Sequence, residues 1–335
     1  MNKVFLSIVK YALILSIGVA LLWLAFRGVS LKDTIDEMMQ ANFFWLLVSI
    51  IASLIAFISR AIRWNMLIEP LGYKPALSNT SAALMIGYLA NLAVPRLGEV
   101  TRCGTLSRNE KIPFDSLIGT VIIERLIDVL CLLIFIVLVA IFEFNRLGSF
   151  LIDNIYKPIT GKIVNAIHSP LVISVIILII AFLLWYFFRK KEGSNTMSQK
   201  IAGVIKSILN GIDSIRKLKN PAGFFFHSVL IWGMYYLMSY TCFFAFEATS
   251  KLDWHAGLFV LVAGGIGMSA PVQGGLGTYH FLVSEGLMLY GVAKTPSLTF
   301  ATLMHTSQTL VVIILGSIAF LYLFLKRRNA KTQLN

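Results

Sequence analysis

Charge is scarce in this chain: Asp, Glu, Lys and Arg make up 13% of it, against 57% hydrophobic residues and a mean hydropathy of +0.80. So few ionised groups cannot cover 335 residues with a water-facing surface, which excludes a soluble enzyme or carrier. Cysteine is sparse too. Cys103, Cys131 and Cys242 are odd in number, far apart and within or beside apolar stretches, so neither a disulfide framework nor C-x-x-C metal spacing is available. The histidines His168, His227, His255, His280 and His305 form no H-E-x-x-H or H-x-x-x-H pair, so each reads as a polar contact and no metal is expected. There is no G-x-x-x-x-G-K-S/T phosphate loop, and Gly267-Met268-Ser269-Ala270-Pro271 lacks the final glycine of a nucleophile elbow. Neither enzymatic activity nor a cofactor is expected.

Acidic residues are the rarer sign, 16 against 29 basic ones, for a net charge of +13. A nucleic-acid binder would gather that excess on one polar face. Here it falls in short segments between apolar runs, as membrane topology requires, so no nucleic-acid partner is expected.

What the chain has is long hydrophobic runs. A helix needs roughly 20 apolar residues to cross a bilayer. Tyr11 to Phe26, Phe43 to Ile62, Leu117 to Phe142, Pro170 to Phe188, Ala222 to Ala248 and Leu298 to Leu325 read as six full spans. The first follows Lys3 and Lys10 but lacks a small-x-small cleavage site, so it reads as a retained span and not a secretory signal. Three weaker pieces, Thr80 to Val94, His255 to Ala270 and Tyr279 to Val292, are short, rich in Gly, Ala and Ser, and bordered by Pro or Gly. Residues 189–220 carry Met197, Ile201, Val204, Ile205, Ile208, Leu209, Ile212, Ile215 and Leu218 at steps of three and four. With Lys200, Lys206, Arg216 and Lys217 on the other faces, this is an amphipathic helix suited to an anionic leaflet.

Orientation follows from where the basic residues fall. With both termini cytoplasmic and the weak pieces not crossing singly, 21 basic residues lie inside and seven outside. If Thr80 to Val94 crossed alone, one of its flanking basic clusters would face outward, so a re-entrant segment is preferred. The expected fold class is all-α, a polytopic transmembrane bundle with about six full spans and two re-entrant or broken segments in a pseudo-inverted repeat. The organisation expected is one membrane domain, 1–335. Its first half, 1–165, has a re-entrant turn at 91–102; a basic segment, 189–220, precedes a second half, 221–335, with its turn at 269–280.

The two turns echo each other. Ala93-Val94-Pro95-Arg96-Leu97-Gly98-Glu99 and Ser269-Ala270-Pro271-Val272-Gln273-Gly274-Gly275 each end a small-residue helix with Pro, with Gly three residues later. Irregular backbone cannot face lipid unpaired, so it is tolerated only where protein buries it or it lines a wet cavity. Gly274, Gly275 and Gly277 permit close approach or positive φ, and helix ends there offer N–H groups to a phosphate. The glycines also fit plain helix packing, a reading that stands beside the first.

Charges stand where lipid is expected. Leu117 to Phe142 contains Glu124, Arg125 and Asp128 on one helix side, at i,i+3 and i,i+4. Each charge at the bilayer centre costs at least roughly 2.5 to 3.5 kcal/mol, so the three must be paired or hydrated. Arg96, Glu99 and Arg102 on the first turn, with Arg60 and Arg63 near the end of the second span, are the natural partners. Alternatively the helix begins near Glu124 and the charges sit at the interface.

Three motifs in order resemble one family. Asn91-Leu92-Ala93-Val94-Pro95-Arg96-Leu97-Gly98-Glu99-Val100-Thr101-Arg102, Glu124-Arg125-x-x-Asp128 and Pro271-x-x-Gly274-Gly275-x-Gly277 resemble the lysylphosphatidylglycerol synthase transmembrane-region family, the flippase-like membrane proteins, over nearly the whole chain. The resemblance implies a protein of the bacterial inner membrane that moves a phospholipid or lipid-linked headgroup between leaflets, its partners being membrane lipids with anionic or lipid-linked headgroups. The chain ends at Asn335, ten residues past the last span, so no synthase domain is expected. Near His280 many members carry an acidic residue, and no role for a carboxylate is carried over there. In this reading Arg96 and Arg102 bind phosphate, while Glu99, Glu124 and Asp128 counterbalance them or take a cationic headgroup. Asn91, Pro95, Gly98, Pro271, Gly274, Gly275 and Gly277 shape the two turns. The alternative is an integral-membrane transferase acting on a polyprenyl-phosphate-linked sugar. The cargo, the direction, the energy source and the oligomeric state are left open.

Overall fold

A computed structural model of the chain describes residues 3–144, 146 and 218–332. The expected span Pro170 to Phe188 and nearly all of the amphipathic segment 189–220 lie outside the described residues. The chain divides into two compact units, 1–139 with 214–335, and 140–213, and every residue of the site belongs to the first. Ten α-helices and no strand are found among the described residues. They are α1 Lys3–Phe26, α2 Leu31–Met39, α3 Phe43–Ile68, α4 Leu77–Ala93, α5 Leu97–Glu110, α6 Phe114–Phe142, α7 Pro221–Phe243, α8 Trp254–Ser269, α9 Thr278–Leu289 and α10 Lys294–Thr332.

Among the described residues three helices, Phe43–Leu71, Phe114–Phe142 and Lys294–Lys326, are long and apolar enough to cross a membrane. A fourth span is formed if α1 and α2, bent by 80° between Phe26 and Leu31, count as one. Against the expected six, α7 is 23 residues long and ends at Phe243, not Ala248. Tyr235, Tyr236 and Tyr240 with Ser239 and Thr241 dilute its apolar character in favour of contacts to its neighbours. The outward faces of the long helices remain uncovered by protein: Ile55 and Ile58 on α3, Val129, Leu133 and Val137 on α6, Leu310, Ile314 and Ile318 on α10. Bare aliphatic stripes at steps of three and four on helices of this length are the surface that lipid covers.

Inside, small residues let helices approach. The buried face of α3 runs Ser49, Ala52, Ser53, Ala56, Ser59, Arg60 and Arg63. It packs closely on α7, tied by Ser49 Oγ to the Met238 carbonyl (3.2 Å) and by Ser59 Oγ to His227 Nδ1 (2.8 Å).

The weak segments form two helical hairpins. In the first, α4 and α5 lie side by side, and the break between them is confined to Val94–Arg96, with Arg96 in the left-handed region at φ 64°. The expected turn at 91–102 is thus shorter, because Leu97 to Arg102 is already helical. Asn91 Oδ1 accepts from Gly98 N–H at 2.6 Å, filling one of the donors that a helix start leaves open. Gly98 has no room for a Cβ against the Gly87 carbonyl, so the two helices meet backbone to backbone. At the open end, Glu110 Oε1 accepts from Ala76 N–H (3.0 Å) and Asn79 Nδ2 (2.5 Å). Glu110→Ala is expected to cost about 1–3 kcal/mol and to speed amide exchange at Ala76, with exchange across the tip unchanged.

The second hairpin is built alike from α8 and α9, joined through Ala270–Gly277. Thr278 Oγ1 donates to the Gly267 carbonyl at 2.7 Å, across the break, and Gly274, Gly275 and Gly277 all hold positive φ. The turn expected at 269–280 therefore spans 270–277.

Helix α10 records where each hairpin lies. It begins after the open end of the second hairpin, His305 Nε2 meets the Gly274 carbonyl of its tip (2.8 Å), and Gly316 packs against Leu89 near the tip of the first. Farther on, Lys326 Nζ donates to Asn79 Oδ1 (2.9 Å) at the first hairpin's open end. The tips also touch directly, since a Cβ on Gly274 would stand 2.9 Å from Leu92 Cδ2.

Candidate functional site

Six of the eight charged candidates converge. Helix α6 begins at Phe114, so Asp128 stands at its midpoint, and Glu124 is about 15 Å from its start at 1.5 Å per residue. The alternative in which this helix begins near Glu124 is therefore set aside. Glu124 is fully buried, and its carboxylate accepts from Arg60 Nη1 (3.0 Å), Arg102 Nη1 (3.1 Å) and Arg125 Nη2 (3.0 Å), with Arg63 Nη2 at 3.8 Å. Asp128 accepts from Arg60 Nη1 (2.9 Å) and Arg63 Nη2 (2.7 Å), with Arg125 Nη1 at 3.8 Å. Four guanidinium groups thus surround two carboxylates.

The network is held by neighbours that sequence reasoning missed. Arg60 Nε donates to Tyr235 Oη at 2.5 Å and Arg63 Nη1 to Ser228 Oγ at 3.3 Å, both on α7. Ser228 and Tyr235 are seven apart, two helical turns, and that spacing is the one signal that places them on a common face. The Arg102 guanidinium lies 4.7 Å from the ring centre of Trp64, whose indole N–H donates to Thr120 Oγ1 at 2.9 Å. Stacking of this kind adds about 2 kcal/mol when water is excluded. Arg125 differs from the rest in keeping 41% of its side chain exposed.

Cation exceeds anion here, and the excess leaves donors unused. Arg102 is 3% exposed, yet its Nε and Nη2 have no partner, nor has Nε of Arg63 or Arg125. Buried donors without acceptors are expensive, roughly 1–3 kcal/mol each and more when charged. What these donors lack is an acceptor.

Two candidates stay outside the network. Arg96 is exposed at the hairpin tip and within ion-pair distance of no carboxylate among the described residues; its left-handed backbone turns the chain into α5. Glu99, one turn before Arg102, has a buried Oε2 without a partner and pairs with none of the four arginines. The expected joining of Arg96 and Glu99 to Glu124 and Asp128 is thus corrected: the α5 helix, starting at Leu97, presents Arg102 to the cluster and leaves Arg96 at its end. Among the turn residues, Asn91 and Gly98 bond to each other, Pro95 and Pro271 sit in the two breaks, and Gly274, Gly275 and Gly277 form the second tip.

The structure also unites two histidines that are 25 residues apart. The His280 and His305 rings are 4.8 Å apart between centroids, with Tyr279 5.2 Å from His305.

UPF0104 membrane protein PH1989 of Pyrococcus horikoshii is 22% identical over 342 residues, covering 93% of this chain and 96% of that protein. UPF0104 membrane protein MJ1595 of Methanocaldococcus jannaschii is 25% identical over 133 residues, 39% of this chain and 40% of that one. No solved structure matches. The match to the family described as Lysylphosphatidylglycerol synthase TM region runs over residues 7–316, taking in both broken hairpins and the buried arginine cluster, and the chain belongs to that family of membrane proteins.

Proposed function

We propose that the protein carries a phosphate-bearing lipid headgroup between the two leaflets of the cytoplasmic membrane, along a path formed by the hairpin tips and the arginine cluster. The observation that carries this reading is Arg102: buried, stacked on Trp64, tied by one nitrogen to Glu124, and left with two nitrogens unpartnered. Lipid phosphate supplies the acceptors that these donors lack, in the forked geometry guanidinium favours.

The hairpins support the path. The contacts along α10 put their open ends about 48 Å apart, from Lys294 to Lys326 at 1.5 Å per residue, with the tips meeting between. Such hairpins enter the bilayer from opposite sides as an inverted pair, the arrangement in which broken helices of transporters build a midplane site. Both termini face the cytoplasm, where the basic clusters gather. The protein works in this reading as a transporter and not as a transferase, moving a headgroup whose acyl tails stay in lipid. Glu124, shared among several arginines, is committed to holding them and has no free role as a proton carrier.

Reconstitution into liposomes with a fluorescent phospholipid tests this. Dithionite should bleach the inner-leaflet label as it emerges, and Arg102→Gln should slow that emergence about 10- to 100-fold, the rate equivalent of a charge-assisted bond of 1.5–3 kcal/mol. Unchanged emergence in a folded Arg102→Gln protein overturns the reading.

A further inference from the structure

The chain turns sharply where α1 ends, and the helix that follows has a face with no protein on it. Helix α1 runs 24 residues, about 36 Å at 1.5 Å per residue, which exceeds a hydrocarbon core of about 30 Å. Through Gly28, at φ 79°, the axis bends by 80° into α2. The nine residues of α2 extend about 14 Å, but at that angle they advance only about 2 Å along the axis of α1. Near the end of α1 the Trp23 ring is exposed, with the Arg27 guanidinium 5.4 Å from its centre, a pair suited to the boundary between lipid and water. The chain then returns as α3, which starts at Phe43 with Phe43 and Phe44 exposed.

The residues of α2 divide three ways. The helix packs on α10, with Thr34 buried and Glu37 and Met38 half-buried. Leu31, Ile35 and Met39 recur every four residues within an arc of about 80°, and they are 66%, 57% and 74% exposed. Lys32, Asp33 and Asp36 occupy a separate exposed arc. Both ends of α2 are held. Ser30 Oγ accepts from Asp33 N–H at 3.3 Å, and Lys294 Nζ, at the start of α10, donates to the Arg27 carbonyl at 2.7 Å. Beyond the other end, Asn42 N–H donates to the Ala245 carbonyl, just past α7, at 2.8 Å.

From this geometry we infer that α2 lies flat in the membrane, its stripe of Leu31, Ile35 and Met39 seated at the boundary between headgroups and acyl chains in the leaflet where α1 ends. A helix laid across the end of a span, apolar on one arc and charged on another, has the form of an interfacial segment. Lipid is the occupant that the surroundings name. In the chain the stripe stands between α1, with Val19 and Leu24 exposed, and α3, with Phe44 and Leu47 exposed. Acidic residues outnumber Lys32 on the wet arc, so the seat is apolar and does not depend on anionic lipid. The fourth span is then α1 alone. Because α1 also brings the Gly18 carbonyl against Gly277, this elbow holds the second hairpin at a fixed depth, whether or not the protein moves lipid.

Bimane on single cysteines tests the seat in the full chain, its three native cysteines replaced by alanine, in lipid nanodiscs that leave both faces open to solution. Phosphatidylcholine brominated near the headgroup end of its chains should quench bimane on Ile35→Cys at least about twofold more strongly than on Asp36→Cys, about 100° round the helix, and iodide should reverse the order. Exchanging part of the phosphatidylcholine for phosphatidylglycerol should leave both results unchanged. Met39→Cys against Lys32→Cys repeats the comparison on an independent pair. Iodide quenching as strong at Ile35→Cys as at Asp36→Cys would put the stripe in water. Quenching of Ile35→Cys by neither agent would put protein over it, a second copy included. Equal bromine quenching at the two positions would sink the whole helix in hydrocarbon, and bromine quenching that requires phosphatidylglycerol would make the seat electrostatic. Each of these four results overturns the inference.

Discussion

Glu124→Gln should destabilise the folded protein by about 3–5 kcal/mol, the cost of removing one partner from a buried ion-pair network. The substitution is nearly isosteric, so it opens no cavity; what it removes is the negative charge to which Arg60, Arg102 and Arg125 all donate. Asp128 would then face four guanidinium groups alone. Against a net stability of about 5–15 kcal/mol, that is a third or more of what keeps the chain folded. Thiol alkylation reads the effect, because Cys103 and Cys242 are buried and react only when the helices part. Thermal or denaturant midpoints for their labelling should fall well below wild type in Glu124→Gln. Equal midpoints would show that the arginines are stabilised by solvent and not by Glu124.

The second large effect is expected at the Gly277 turn. Gly277 has φ 80° and lies against the Gly18 carbonyl of α1, with a Cβ there also falling 2.8 Å from the Leu22 nitrogen. Gly277→Ala must therefore adopt a left-handed conformation costing about 1–2 kcal/mol and push α1 away from the second tip. Gly291→Ala provides the control, since Gly291 has φ 81° but nothing within 4 Å of its added Cβ. Lipid movement should fall more than tenfold in Gly277→Ala and stay within about threefold of wild type in Gly291→Ala, where only the conformational part is lost. Equal loss in both variants would mean that backbone strain, and not the α1 contact, sets the effect.

Much of the site was legible because the membrane makes charge expensive. Glu124, Arg125 and Asp128 inside an apolar run had to be partnered, and the basic residues nearest in the chain to a membrane end, Arg60, Arg63 and Arg102, became the partners. Arg96 and Glu99 were misplaced for a local reason. Leu97 to Arg102 is polar and carries Gly98, so it read as part of a turn, whereas it opens α5, which packs on α4. One helical turn then separates Glu99 from Arg102 in role. Ser228 and Tyr235 gave almost no sign, because α7 spreads its polar and apolar residues over all its faces and its buried face does not stand out. The histidine pair gave none, as residues on consecutive helices meet only once the second hairpin folds against α10.

In the transport reading the two hairpins come from opposite faces of the membrane and meet within it. In a chain whose Cys103, Cys131 and Cys242 are replaced by alanine, single cysteines at Lys111, beside the open end of the first hairpin, and at Lys294, beside that of the second, report it directly. A membrane-impermeant maleimide applied to vesicles of known sidedness should label Lys111→Cys from the cytoplasmic face and Lys294→Cys from the opposite face. Labelling of both from the same face would contradict the account.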